Sequence, residues 1–446
     1  MHSSDATETS DRRALRFLTA GSVDDGKSTL IGRLLYDARA ILADQVDALT
    51  RRAVGSVPTE GDPGFDLSLL TDGLEAEREQ GITIDVAHRY FATARRKFII
   101  ADAPGHEQYT RNMVTAAAGS DAAVILVDIT KLDWRARPVT LLGQTRRHAL
   151  LAQLLRVPGI VFAINKLDAV DDPAPAYEAV RAALLGFARD SAMKVAGVVP
   201  ISALRGDNVT RSPDAAGTGL DDWARWYIGP SLLELLETLP TAQEHQHGDL
   251  RMPVQYVARD GGSGTGHQPR TLWGRVANGR VRPGDTVQLF PSRQRAIVVD
   301  VSVAGTTVAS ADAGQSAGLR LDRQLDVSRG DWIATPDSLN ATSRFRATLA
   351  WLDTEPAVVG RHYTLRHGNR WVPARIAAIE GRLDIHSLRT TESQELAVNE
   401  IGHVVVETQE PLPVEAYAAN RVAGSLIVVD PSSHRTSGAL LVTDAH

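Results

Sequence analysis

Eight consecutive residues, Gly21, Ser22, Val23, Asp24, Asp25, Gly26, Lys27 and Ser28, followed by Thr29, fit the pattern Gly-x-x-x-x-Gly-Lys-Ser/Thr without a mismatch. Such a run does one kind of chemistry. Gly21 and Gly26 let the backbone curl until successive N–H groups and a helix N-terminus point into one hollow, which favours anionic oxygens. Lys27 is then expected to reach the β and γ phosphates of a nucleotide and to assist catalysis, and Ser28 to place its hydroxyl on a magnesium ion. Asp102, Ala103, Pro104 and Gly105 form a second candidate, with Asp102 serving the metal through water and the Gly105 N–H serving the γ phosphate. Thr83 closes Glu79-Gln-Gly-Ile-Thr83 and is a further magnesium ligand, available only while a γ phosphate holds its loop closed.

A third group selects the base. In Asn165, Lys166, Leu167 and Asp168 the carboxylate can accept from both N1–H and the 2-amino group of guanine. Adenine offers neither, and would leave Asp168 unpaired at a cost greater than one hydrogen bond is worth. The stem of Lys166 can cover the base plane, and a backbone N–H of Ser202, Ala203 or Leu204 can donate to the guanine carbonyl.

These residues need a scaffold that brings loop ends together. Leu15 to Thr19 is apolar enough for a buried strand, and Leu30, Leu34 and Leu35 recur at helical spacing after the loop. Further strands are expected at Ile84 to Phe91, Lys97 to Ala101, Ala122 to Val127, Ile160 to Ile164 and Gly197 to Pro200, alternating with helical runs. The segment from Asp44 to Gln80 has little regular pattern, and a long loop of that kind is usually functional. The polar run Thr-Ala-Gln-Glu-His-Gln-His-Gly-Asp after Pro240 reads as a linker. Beyond it lie short β-rich stretches: Val254 to Val257, Trp273 to Val276, Thr286 to Phe290 and Ile297 to Val303, then Phe345 to Leu352, Tyr363 to Leu365, Val372 to Ile379, Gly402 to Thr408 and Ser425 to Val429. Their even spacing suggests barrels. The expected organisation is a leader over 1–12, a nucleotide-binding α/β domain over 13–240 and two all-β barrels over 251–336 and 343–446. The sheet of the first domain should be mostly parallel, with helices on both faces.

Composition limits the function. A length of 446 residues with 43% hydrophobic and 23% charged residues is that of a multidomain globular protein. A net charge of −6 argues against a nucleic-acid partner, and no apolar run is long enough to cross a bilayer. With a polar first dozen residues and no signal peptide, the expected location is the cytoplasm. The absence of cysteine excludes thiol nucleophiles, thiolate metal sites and disulfides.

The order of these elements is that of a GTP-binding protein, and their wording is narrower still. The phosphate-loop run, Asp72-Gly-Leu-Glu-Ala-Glu-Arg-Glu-Gln-Gly-Ile-Thr-Ile-Asp and Asp102-Ala-Pro-Gly-His-Glu-Gln-Tyr-Thr-Arg-Asn-Met closely resemble the GTPase subunit of bacterial sulfate adenylyltransferase. Gln144-Thr-Arg-Arg-His148 and Val327-Ser-Arg-Gly-Asp331 extend the resemblance from about Arg13 to Val442. It implies a P-loop GTPase with GTP and magnesium as cofactors. Its partner would be a separate catalytic subunit that makes adenosine 5′-phosphosulfate and pyrophosphate from ATP and sulfate. His106 matches the histidine that orients the attacking water in this superfamily, and Asp24 the aspartate that helps to hold a monovalent cation.

Three departures stand out. The stretch between Asp128 and Gln144 is longer than the family's usual loop, so a partner contact there is expected to differ. Asp260 to Pro269 reads as a flexible hairpin loop, replacing the usual Arg and aromatic pattern. The chain reaches His446 without the second phosphate loop of an adenylylsulfate kinase domain, so no such kinase activity is expected of it. A carrier of aminoacyl-tRNA built on the same architecture is the alternative from another class, and a scaffold that binds GTP without hydrolysing it would need His106 to be idle.

Overall fold

The computed structural model describes residues 14–40, 66–70, 86–103, 110–210, 224–241, 248–259, 270–384 and 389–445. The chain forms two compact units, Met1–Ala242 and Gln243–His446.

The first unit is built on a six-stranded sheet: β1 (Leu15–Ala20), β2 (Ala87–Ala92), β3 (Lys97–Asp102), β4 (Ala122–Asp128), β5 (Gly159–Asn165) and β6 (Val195–Pro200). The spatial order is β2-β3-β1-β4-β5-β6, with β2 antiparallel to β3 and every other pair parallel. β4 and β5 are buried along their whole length, which is why Ala-Ala-Val-Ile-Leu-Val and Gly-Ile-Val-Phe-Ala-Ile read as continuous apolar runs. Helices follow the strands: α1 (Lys27–Asp37), α2 (Thr110–Ala118), α3 (Gly143–Leu154), α4 (Pro173–Asp190) and α5 (Leu232–Thr238). α4 opens on a proline, whose missing N–H has no partner to lose there. α5 opens on a capping box in which Ser231 and Glu234 each accept from the other's backbone N–H.

Leu30, Ile31 and Leu34 of α1 pack with Leu232 and Leu236 of α5 over Phe17, Phe91 and Phe98 of the sheet. The last two rings stack at 4.6 Å. From β1 the chain crosses one way to β3 and then the other way to β4 and beyond. Right-handed crossovers in opposite senses place α2, α3 and α4 on the face opposite α1. The reversal falls at β1, so a crevice opens at the carboxyl ends of β1, β3 and β4, where ligands of such sheets bind.

Within the expected long loop, Leu67–Leu70 forms a single 3-10 turn packed on α1. The strand expected from Ile84 begins among the described residues at Ala87, and residues 71–85 lie outside them. So do the leader over 1–12 and the loop over 260–269.

The second unit is all β. An eight-stranded antiparallel sheet spans Arg251–Pro253 to Trp332–Ala334. Here one expectation needs correcting: Val254 to Val257 is not one strand. Arg251–Pro253 pairs with Trp332–Ala334, and the chain then breaks at Val254 and Gln255 so that Tyr256–Arg259 can pair with Arg270–Arg275. A second sheet closes on itself through six strands, Thr342–Trp351, His362–His367, Arg370–Leu383, Ile401–Leu412, Ser425–Val429 and Thr436–Asp444. The two sheets are fastened together. Arg251 bonds Glu415 at 2.8 Å, Arg370 bonds Asp331 at 3.0 Å, and the rings of Trp332 and His367 stack at 5.1 Å. No helix among the described residues is long and apolar enough to cross a membrane.

Candidate functional site

The loop between β1 and α1 holds its shape through its own side chains. Asp24 and Gly26 take left-handed backbone conformations, with φ of 64° and 94°. The Asp25 carboxylate is fully buried and accepts from the Ser22 N–H at 2.6 Å, bracing the turn from within. A Cβ added to Gly26 would lie 2.5 Å from Asn165 Nδ2, so only glycine admits the neighbouring loop. α1 starts with no side chain capping its first N–H groups, which leaves them and the positive end of the helix to the hollow.

Lys27 is buried and folds back along the loop, donating to the carbonyls of Gly21 at 2.9 Å and Ser22 at 2.8 Å. Burial pushes its ammonium below the usual lysine range, and the charges of Asp102 and Asp25 offset this only in part. A buried cation whose hydrogen bonds go to neutral carbonyls is built to receive an anion. Asp102 ends β3, is almost fully buried and accepts from the Thr19 hydroxyl at 3.3 Å. Ser28 lies half-buried in the first turn of α1, followed by Thr29. A serine hydroxyl and a carboxylate are the hard oxygen donors that suit magnesium. Ala103 is buried behind Asp102, whereas Thr83, Pro104, Gly105 and His106 lie outside the described residues.

On the base side, Asn165 ends β5 and joins three loops. Its amide donates to the Asp25 carbonyl at 2.8 Å and accepts from the Ala203 N–H at 3.0 Å. Lys166 takes a left-handed conformation and spans from the Asp24 carbonyl at 2.7 Å to Asp128 Oδ2 at 2.7 Å. Leu167 is buried beneath, and Asp168 pairs with Arg205 at 3.3 Å. Of the three N–H groups at Ser202, Ala203 and Leu204, the first goes to the Asp207 carbonyl and the second to Asn165. That of Leu204 has no partner among the described residues. The Ser202 hydroxyl accepts from the Arg205 N–H at 3.2 Å and tightens the turn.

Sequence motifs alone did not single out the residues that lock these loops to one another. Arg33 of α1 is buried and reaches the carbonyls of Ala203 and Leu204. Asp128, at the end of β4, accepts from the Thr130 N–H at 2.9 Å as well as from Lys166. Its burial favours the neutral acid, but the hydrogen bonds from Lys166 and Thr130 outweigh that and hold it below the usual aspartate range. Lys131, in the lengthened loop, reaches back to the Val23 carbonyl at 2.6 Å and to Asp25 Oδ1 at 2.8 Å. His148 of α3 is buried near Lys27. Burial first, then the charges of Lys27 and Arg147, push its pKa down to about 3. The one signal available beforehand was position, since Asp128 ends and Lys131 follows a strand whose carboxyl end faces the crevice.

Two family descriptions match the chain: the elongation factor Tu GTP-binding domain over residues 12–243, and the GTP-eEF1A C-terminal domain-like family over 344–443. Sulfate adenylyltransferase subunit 1 of Laribacter hongkongensis is 42% identical over 97% of this chain and 85% of its own length. That of Shewanella woodyi is 41% identical over 96% of this chain and 86% of its own. The bifunctional enzyme NodQ of Azospirillum brasilense is 42% identical over 97% of this chain, which spans 66% of NodQ's length.

Proposed function

Because this chain belongs to the sulfate adenylyltransferase subunit 1 family of elongation factor Tu-type GTPases, we propose that it hydrolyses GTP as one part of a sulfate-activating complex. A separate catalytic subunit forms adenosine 5′-phosphosulfate and pyrophosphate from ATP and sulfate. The GTPase drives that uphill transfer, in the cytoplasm, where both nucleotides are supplied.

The observation that carries the reading is the Asn165 carboxamide, which fastens the phosphate loop at Asp25 to the base loop at Ala203 and so makes one continuous nucleotide seat. Along that seat Lys27 and the uncapped N–H groups at the start of α1 would hold the phosphates, while Asp168 and the Leu204 N–H would meet guanine. Ser28 and Asp102, joined by Thr83, would hold magnesium, which when bound neutralises phosphate charge. Asp24, exposed at the lip of the loop, would help to hold a monovalent cation. His106 would orient the attacking water. The nucleotide part spans 13–240, and the β-rich parts over 251–336 and 343–446 carry the response to the partner. The full-length likeness to subunit 1 proteins favours this reading over a carrier of aminoacyl-tRNA.

Reconstitution tests it. The chain alone should bind GTP and make no adenosine phosphosulfate. Adding the catalytic subunit should yield that product with GTP consumed alongside, and His106→Ala should abolish the GTP dependence while keeping nucleotide affinity. Formation of product by this chain alone, or a complex indifferent to GTP, would defeat the proposal.

A further inference from the structure

An acid in a phosphate loop is electrostatically misplaced. Asp25 stands immediately before Gly26 and Lys27, in the hollow that must accept a polyanion, and its carboxylate is fully buried. A buried carboxylate charge left uncancelled there would repel the phosphates. Lys27 does not form an ion pair with it, because its ammonium bonds the carbonyls of Gly21 and Ser22.

The cation that meets Asp25 comes from outside the loop. Lys131 Nζ lies 2.8 Å from Asp25 Oδ1 and 2.6 Å from the Val23 carbonyl, while Asp25 Oδ2 takes the Ser22 N–H. Lys131 also lies 3.8 Å from Asp128 Oδ2, whose closer partner is Lys166 at 2.7 Å. Two carboxylates and two ammonium groups therefore alternate along the back of the loop, and their charges cancel. Lys131 is held in place for this by the 3-10 turn Ile129–Lys131, which Asp128 caps.

We propose that Lys131 is a positioning residue for nucleotide binding: it neutralises Asp25 and fixes the Val23 carbonyl, so that an acidic phosphate loop can hold GTP. The proposal rests on the reading of this loop as the GTP site. It assigns a job to the start of the lengthened loop, where the base and phosphate motifs assign none.

The full chain is the material for the test, with GTP affinity measured directly by calorimetry. Lys131→Met should weaken GTP by about ten- to a hundredfold, the range set by one uncancelled charge at an effective dielectric of ~20. Lys131→Arg should bind nearly as well as the starting protein. Asp25→Asn in the Lys131→Met background should recover most of the loss, because the carboxamide oxygen still accepts from Ser22 and no charge is left to cancel. Asp25→Asn alone leaves Lys131 unmatched and should tighten GTP. Thermal melting checks that each variant is folded. Unchanged affinity in Lys131→Met, or a loss that Asp25→Asn does not recover, would overturn the proposal. A starting protein that fails to bind GTP would instead overturn the reading of the loop, and the assignment of Lys131 with it.

Discussion

Asn165 and Asp25 are far apart in the chain and joined by one buried hydrogen bond, from the Asn165 amide to the Asp25 carbonyl at 2.8 Å. The same amide accepts from Ala203 at 3.0 Å, so its removal orphans a buried carbonyl and a buried N–H at once. Each orphan costs about 1–3 kcal/mol. Asn165→Ala should therefore lower GTP and GDP affinity together, by roughly a hundredfold. Competition binding with a fluorescent guanine nucleotide measures it. A loss confined to GTP would place the defect at the γ phosphate instead.

Base choice should follow Asp168. Asp168→Asn turns an acceptor into a donor toward the 2-position of the purine, and removes the ion pair with Arg205. GTP should weaken by at least about a hundredfold while xanthosine triphosphate, which carries a carbonyl there, improves. If the two nucleotides keep their order in a competition assay, the base is read elsewhere.

Gly32 gives a case where two rules of thumb oppose each other. Alanine in a helix interior is favoured over glycine by about 1 kcal/mol. A Cβ at Gly32, however, would lie 2.2 Å from the Leu67 carbonyl oxygen and 2.9 Å from its carbon, both backbone atoms that cannot rotate away. Overpacking of that kind costs about 1–3 kcal/mol and wins. Gly32→Ala should lower the urea midpoint, with faster hydrogen exchange at Leu67–Leu70. A stabilised variant would mean that the turn yields without penalty.

Acid should weaken both units through their buried histidines. Burial lowers His367 from 6.5 to about 4, and the carbonyl of Ala423 on its Nε2 only partly opposes this. His148 is lowered from 6.5 to about 3. Below pH 6.5 the unfolded chain takes up protons that the folded chain refuses. The stability held above that pH is thus lost progressively as pH falls toward 4 and 3. Between pH 7 and 5 each histidine should account for about 2 kcal/mol. Urea unfolding at the two pH values should show the drop, and His367→Gln should remove the share that His367 contributes while leaving that of His148.

What could be read beforehand follows the physics of each signal. β1, β3, β4 and β5 are strands buried by their neighbours, so their apolar runs mark them to within two residues at either end. The phosphate loop was legible because its geometry demands particular residues at fixed spacing. Val254 to Val257 misled because an apolar run does not say where a chain changes partner strand. Thr436–Asp444 escaped because Ser437, Gly438 and Ala439 dilute its apolar alternation, although both of its neighbours in the closed barrel require it. Lys131 was invisible for a different reason. A lysine in a loop looks like solvated charge until the fold brings Asp25 to it.

Helix α1 begins at Lys27, in the glycine-rich loop, and within its next two turns sends Arg33 to the carbonyls of Ala203 and Leu204, in the loop that Asn165 also holds. A helix is stiff along its axis, so the two ends of the seat are tied to one rod and cannot loosen in turn.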